Sequence, residues 1–329
     1  MAKGSKMDNV TKDPVIRGVR ARALLKYLWR DYSVLVALVL MMVLASILNP
    51  RFLTARNLTN ILRQVSVIGI VSMGMTVVIL SGGIDLSVGS VLALSGVMGM
   101  LALNASGSII LGVFVTLGMG AGLGAVNGLL IAKGRVAPFI ATLGMMAVAR
   151  SLALFAVRGS NVVGTVAGYT LISRGTFLGL RYPVYFFAMV ALSVWFLMMK
   201  TRFGRHVYAT GSNERATLMS AVNVGRVKMG VYILCSSLVA LGAIVESATL
   251  NSISSSNSGV QYELDAIAAV IIGGTRLEGG RGKVVGTVLG VILLGVLNNV
   301  LNLMNVSPFL QGFVKGLIII TAVFVQRRD

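Results

Sequence analysis

The chain has 329 residues, 56% hydrophobic and 12% charged, with mean hydropathy +0.88 and a net charge of +19. Apolar blocks approaching the ~20 residues needed to cross a bilayer recur along it, which excludes a soluble globular domain, and the basic surplus answers to membrane topology rather than to nucleic acid. A single cysteine, Cys235, and a single histidine, His206, exclude an intrachain disulfide, a soft-metal cluster and a Ser/His/Asp or Cys/His catalytic set.

Residues 1–30 form a basic arm, with Lys3, Lys6, Lys12, Arg17, Arg20, Arg22, Lys26 and Arg30 against Asp8 and Asp13. Such an arm is expected on the cytoplasmic side, beside anionic lipid headgroups. Residues 31–329 then read as one all-α domain, a polytopic transmembrane helical bundle. Hydropathy predicts about ten spans, at 32–48, 65–80, 86–103, 109–132, 139–157, 182–199, 229–250, 264–274, 284–303 and 309–325. The first is longer than a usual signal-peptide core and Leu44-Ala45-Ser46 is a poor cleavage site, so it is kept as a span. The eighth is short and the second and third nearly touch, which predicts broken or tilted helices there. With the N-terminus inside, cytoplasmic segments hold 21 basic residues and external ones six, Arg51, Arg56, Arg63, Arg158, Arg174 and Arg181. That bias predicts both termini inside.

Between the second and third spans runs Ser81-Gly82-Gly83-Ile84-Asp85-Leu86-Ser87-Val88-Gly89-Ser90. Lipid offers no water to an exposed backbone, so a glycine-broken stretch with a carboxylate is tolerated there only inside protein or a wet cavity. Gly82, Gly83 and Gly89 are the expected break and gating positions. Asp85 has three readings: a substrate or proton site, an acceptor for backbone N–H groups at the start of the next helix, or a residue at the cytoplasmic mouth. The helix-end role is preferred, with a helix beginning at Leu86 and carrying Ser87. A faint echo, Gly273-Gly274-Thr275-Arg276-Leu277 through Gly280, hints at a second break at Gly273 and Gly274.

In the fourth span, Gly118/Gly122, Gly120/Gly124 and Gly124/Gly128 recur at spacing four, a pattern that lets helices pack closely. Asn298, Asn299 and Asn302 polarise the ninth span, either to bond neighbouring helices or to meet the hydroxyls of a cargo along a pathway. Asp85, Asn127, Asn298 and Asn302 make up the candidate substrate pathway. Glu246 and Lys315 fall inside spans and are expected to face the interior or a partner. The polar stretch 251–259 reads as a flexible external loop or as the place where a delivering protein docks.

The segment 200–228 is the longest internal cytoplasmic piece, read as a loop. Asn213 is an apt N-cap for a short helix from Glu214 to Ser220, suited to docking in the cleft of an ATPase. The chain itself has no ATPase motif. Leu80-Ser81-Gly82-Gly83-Ile84 imitates an ABC signature, but Gly279-Gly280-Arg281-Gly282-Lys283-Val284 lacks the hydroxyl after lysine that a P-loop needs for Mg²⁺.

Several strings occur in order: Phe52-Leu53-Thr54 with Asn57-Leu58, Gly74 through Ser90, Pro138-Phe139-Ile140-Ala141-Thr142-Leu143-Gly144 with Arg150, Thr201-Arg202-Phe203-Gly204-Arg205, Glu263 through Thr275, and Gly279-Gly280-Arg281-Gly282. Together they resemble the permease subunits of bacterial ABC importers for monosaccharides, the ribose-type carbohydrate-uptake group, over residues 51–326. The resemblance implies a second permease copy, identical or not, a cytoplasmic ABC ATPase that holds ATP and Mg, and a periplasmic or lipid-anchored sugar-binding protein. It implies no cofactor on this chain. It also implies ATPase coupling through Gly211, Asn213, Glu214, Arg215, Ala216 and Ala221. Here the chain departs from the family pattern, with Ser212 where a second glycine is usual and Ala221 where a glycine precedes Val222-Asn223-Val224. Met145 and Ser151 replace the commoner Thr and Gly. The alternatives are the same architecture carrying a furanose signal, a nucleoside or a branched-chain amino acid, and an ion-coupled transporter with Asp85, Glu246 and Lys315 as relay.

Overall fold

Helices dominate the computed structural model, which describes residues 33–326; the basic arm 1–30 lies outside the described residues. In chain order the helices are α1 (Ser33–Leu48), α2 (Ala55–Leu80), α3 (Val88–Ser106), α4 (Ile109–Ala132), α5 (Pro138–Val157), α6 (Leu171–Arg174), α7 (Tyr182–Lys200), α8 (Arg202–Ser212), α9 (Glu214–Met219), α10 (Val224–Leu250), α11 (Tyr262–Ile272), α12 (Val284–Leu303) and α13 (Pro308–Gln326). Among the described residues seven, namely α2, α3, α4, α5, α7, α10 and α12, are long and apolar enough to cross a membrane. Two short antiparallel strand pairs accompany them, the second a hairpin. β1 (Asn161–Val163) pairs antiparallel with β4 (Ser252–Ser254), and β2 (Thr176–Phe177) with β3 (Leu180–Arg181).

Two helices start earlier than hydropathy places them. α2 begins at Ala55, so Arg56 and Arg63 lie in its opening turns rather than in a loop, and α10 begins at Val224. Long cationic side chains reach out of an apolar layer while their backbone stays helical, so the helix outruns its hydrophobic window. Side-chain caps fix both starts: Thr54 accepts from the Asn57 amide, and Asn223 Oδ1 from the Arg226 amide at 3.0 Å.

The core is built on α2 and α10, with α4 laid against α10. Gly74 of α2 admits Cys235 of α10, and a Cβ there would stand 3.0 Å from the Cys235 Cα. On α4, Gly120, Gly124 and Gly128 press on the backbone around Ser236, Tyr232 and Met229 of α10, whereas Gly118 and Gly122 meet nothing within 4 Å. The spacing-four pattern thus splits into one packed row and one open row, because residues two apart point to different sides of a helix.

One face of the bundle, the arm face, carries α8, α9 and the 275–283 loop; the opposite, hairpin face carries α6 and the four strands. Residues 252–254, expected in a flexible loop, form β4. Across the bundle, Lys315 Nζ of α13 lies 3.0 Å from both carboxylate oxygens of Asp265 on α11, giving the sequence's costly lysine its partner. Both side chains are about one-fifth exposed (19% and 21%). Removing one member strands the other charge. Lys315→Met or Asp265→Asn alone should destabilise the detergent-solubilised protein by about 3 kcal/mol, and the double variant should recover most of that loss in thermal unfolding.

Candidate functional site

Glycine stops α2. Ser81 Oγ donates back to the Val78 carbonyl at 2.7 Å, and Gly82 takes φ +78° in the left-handed region. Gly83 sits so close to α10 that a Cβ would lie 2.6 Å from the Tyr232 hydroxyl, which itself donates to the Ile84 carbonyl at 3.2 Å. Non-helical chain then leads inward to α3, which opens at Val88, later than expected.

Asp85 is fully buried within this break. Its Oδ1 accepts from the Ser87 amide at 2.9 Å and from Ser87 Oγ at 2.6 Å, and Asn127 Nδ2 of α4 donates to Ser87 Oγ at 3.0 Å. Asp85 Oδ2 and Asn127 Oδ1 have no hydrogen-bond partner among the described residues. A carboxylate closing on the amide and hydroxyl two residues ahead fixes the entry of the chain into α3.

A second break enters from the hairpin face. After β4 the chain turns into the bundle, where Arg150 Nη1 of α5 donates to the carbonyls of Ser255 (2.9 Å) and Ser258 (3.0 Å). Tyr262 at the start of α11 donates to Glu246 Oε2 of α10 at 3.0 Å, which gives the other costly charge its partner. Gly259 (φ +72°) rests on Gly89. At each of the two, the other's carbonyl oxygen occupies the space a Cβ would need, and Glu263 Oε2 lies 2.9 Å from the Cβ position of Gly89. The first turns of α3 and α11 therefore meet inside the protein. Gly89, expected in a break, lies within α3; what it supplies is the crossing.

α11 ends at Gly273, pressed onto Gly286 of α12, and Gly274 takes φ +83°. The following loop folds back over the end of α2, and the Gly280 amide donates to the Leu80 carbonyl at 3.0 Å. A Cβ on Gly279 would lie 2.7 Å from the Gly82 nitrogen. One on Gly211 would collide with the Leu80 carbonyl and stand 2.6 Å from the Gly280 nitrogen. Gly82, Gly211, Gly279 and Gly280 come from three distant parts of the chain and form one backbone-to-backbone joint.

The 200–228 segment is a helical arm, not a loop. Thr201 caps α8, whose apolar residues Phe203 and Val207 are four apart and share a face. Tyr208 donates to the Gly282 carbonyl at 3.0 Å, and burial pushes its hydroxyl above the usual tyrosine value, so it stays a donor. At α9, Asn213 Oδ1 accepts from the Ala216 amide at 3.0 Å, and Glu214 in the first turn pairs with Lys228 Nζ at 2.8 Å. α9 presents Arg215, Ala216, Leu218 and Met219 outward, the last 90% exposed.

Ala221 closes this arm at φ +59°, a left-handed conformation that costs a residue with a Cβ about 1–2 kcal/mol. That geometry explains why a glycine is expected at the position. Ala221→Gly should raise stability by about 1 kcal/mol, offset in part by backbone entropy, and a higher midpoint in thermal unfolding checks it.

The expected asparagine lining disperses. Asn299 exchanges two 2.9 Å bonds with Asn57 of α2, and Asn302 accepts from Gln311 of α13 at 2.9 Å. Asn298 lines a separate narrow cleft with Gln64 and Asp265. Consecutive helical residues point about 100° apart, so these neighbours serve different helices. Asp85 and Asn127 come together through Ser87; Asn298 and Asn302 do not join them. The clamp by Arg150, the Tyr232 contact and the Gly259 crossing have only faint sequence signals, a polar group within an apolar span in the first two cases.

Non-helical chain deep in a membrane bundle, joined by glycines to a surface arm, is the architecture of a membrane transport subunit. Residues 57–323 match the family described as branched-chain amino acid transport system / permease component. The ribose import permease protein RbsC of Escherichia coli (strain K12) is 45% identical over 298 residues, covering 89% of this chain and 92% of that protein. RbsC of Bacillus subtilis (strain 168) is 47% identical over 299 residues, 88% of this chain and 91% of its own. The L-arabinose ABC transporter permease protein AraH of Azospirillum brasilense is 34% identical over 315 residues, 96% of this chain and 93% of its own. No solved structure matches the chain. The chain belongs to this permease family and is a multi-pass inner-membrane protein.

Proposed function

We propose that this chain forms the membrane path of an ATP-binding-cassette importer for a monosaccharide, ribose or a similar simple sugar. The observation that carries the mechanism is the glycine joint, because it puts α8 of the arm in direct backbone contact with the end of broken α2. The cargo follows from relatives named for ribose, galactose and L-arabinose import. In this reading the arm face is cytoplasmic and both termini are inside, with α1, α11 and α13 joining the seven long helices to make ten spans. Residues 31–329 are the permease domain, and the basic charge of residues 1–30 suits anionic headgroups on the cytoplasmic side.

An ABC ATPase holding ATP and Mg docks on α9 through Arg215, Ala216, Leu218 and Met219. Its closure moves α8, and Gly211 transmits that movement to Leu80 and the Gly82–Gly83 break. The Gly273–Gly274 break shares the load through the Gly280 contact. A binding protein delivers sugar at the hairpin face, and a second permease copy completes the path, with Asp85 and Asn127 beside it. Nucleotide energy shifts the inward–outward balance only through a difference in contacts between the two states. The ion-relay alternative is disfavoured because Lys315 already pairs with Asp265 while Glu246 accepts from Tyr262.

Reconstitution with its ATPase and binding protein in proteoliposomes tests the reading. Labelled ribose, galactose or arabinose should accumulate only with ATP and binding protein present. Uptake of leucine in place of every sugar would overturn the cargo, and gradient-driven uptake by the chain alone would overturn the mechanism.

A further inference from the structure

The arm-side half of α7 forms one wall of an apolar trough of about 590 Å³, and α10 forms the other. Leu192, Trp195 and Phe196 line it from α7, Leu234 and Leu238 from α10, and it ends at Thr201, the elbow between α7 and α8. Leu192 and Phe196 are 65% and 57% exposed. At helical rise the stretch 192–201 covers about 15 Å, half of a ~30 Å hydrocarbon core, so the trough is as long as one leaflet is deep. At the elbow the chemistry changes. Thr201 Oγ1 donates to the Leu197 carbonyl at 2.6 Å and accepts from the Gly204 amide at 3.3 Å, which turns the chain from span to arm. Lys200 and Arg202 flank it in the chain, and Arg205 follows one turn on along the face of α8 opposite Phe203 and Val207. All three cations are exposed, and the two ion pairs among the described residues lie elsewhere.

An apolar trough one leaflet deep that ends on a cluster of cations matches a molecule with an acyl chain and a phosphate. A second helix is a poorer occupant. Helices close on one another in a membrane over small residues, as α4 does on α10 through Gly120, Gly124 and Gly128, and the walls of the trough hold no glycine or alanine. A flexible chain fills a gap between bulky side chains without them. We infer that the α7–α10 trough binds an anionic phospholipid of the leaflet on the arm face, its acyl chain along Leu192, Phe196 and Leu238 and its phosphate at Lys200, Arg202 and Arg205. The inference rests on the importer reading above for naming that leaflet the cytoplasmic one. A lipid so placed lies across the elbow that joins the arm to its span.

Fluorescence of the full-length permease in nanodiscs tests it. The chain has two tryptophans, so Trp29→Phe leaves Trp195, in the wall of the trough, as the sole reporter. Phosphatidylglycerol brominated on its acyl chains, added in small proportion to plain phosphatidylcholine, should quench Trp195 saturably and at least about tenfold more effectively per mole than brominated phosphatidylcholine does. Arg202→Gln with Arg205→Gln should bring the two brominated lipids to within about threefold of each other. Ser193→Leu, which puts an apolar side chain into the trough, should abolish the saturable component. Lys133→Gln with Arg135→Gln removes the same charge from the end of α4, outside the trough, and should leave the preference as it is. Elution as a single species and an unshifted unfolding temperature identify folded variants. Equal quenching by the two lipids in the wild type would overturn the inference, as would a preference that survives both trough variants or falls equally with the α4 pair. So would a Trp195 that neither lipid reaches, the result expected if a second permease copy covers the trough. Failure of the importer reading shows separately, as wild-type complex that takes up no sugar with ATP, and leaves the quenching intact.

Discussion

Gly211→Val is expected to cut ATP-driven sugar uptake at least about tenfold per folded, membrane-inserted permease. The size follows from coupling free energies of ~1–3 kcal/mol between linked sites. A first side-chain carbon at residue 211 collides with the Leu80 carbonyl and stands 2.6 Å from the Gly280 nitrogen, so it wedges α8 off the end of α2 and breaks the Gly280–Leu80 hydrogen bond. Local helix preference works the other way, since any residue with a Cβ other than proline is a better helix former than glycine in α8. A loss of uptake therefore reports the joint, not an unravelled arm. The measurement pairs uptake with ATPase stimulation in the assembled complex. Stimulation by loaded binding protein should fall together with uptake, both expressed per folded complex, since overpacking at the joint also costs ~1–3 kcal/mol of stability and lowers the yield. Wild-type values for both would mean that force does not pass through Gly211.

This joint shows what the sequence made legible. Gly82, Gly83 and Gly211 were visible as a break and as part of a cytoplasmic segment, and both readings came from local composition. Their contact was not visible, because it is made by backbone atoms of residues far apart in the chain, and side-chain identity carries no trace of that beyond the absence of a Cβ. The same limit hid the Gly89–Gly259 crossing. Hydropathy found the apolar blocks but placed the starts of α2 and α10 late, at the point where arginine, lysine and asparagine dilute the window without ending the helix. α8 is hidden in the sequence for a related reason: glycine, threonine and serine lower its helix preference, while Phe203 and Val207 anchor it from one side. The Asn213 cap and the α9 helix were legible because a cap is a local device. Ala221 lies between these cases. Its departure from the family pattern was plain, and only its positive φ explains what a glycine there would relieve.

The crossing of the two breaks gives the second large effect. Gly259→Ala should destabilise the permease by about 2–5 kcal/mol: overpacking against the Gly89 carbonyl costs ~1–3 kcal/mol, and a Cβ at φ +72° adds ~1–2 kcal/mol. Against a total stability of ~5–15 kcal/mol, that loss should remove much of the folded protein from detergent extracts. Gly89→Ala meets the same collision from the other side without the backbone strain, because Gly89 is helical, so its loss should be smaller and its protein should survive at lower temperature. Gly122→Ala supplies the baseline: its added carbon meets nothing within this chain and improves helix preference by up to ~1 kcal/mol. The three variants form a ladder of one added carbon each, read as the temperature at which monodisperse protein is half lost. The order Gly122→Ala above Gly89→Ala above Gly259→Ala follows if the breaks are held together by direct backbone contact. Equal midpoints for all three would mean the crossing has slack enough to admit a methyl group, and the first turns of α3 and α11 would then be free to separate, which a gate in that position would need.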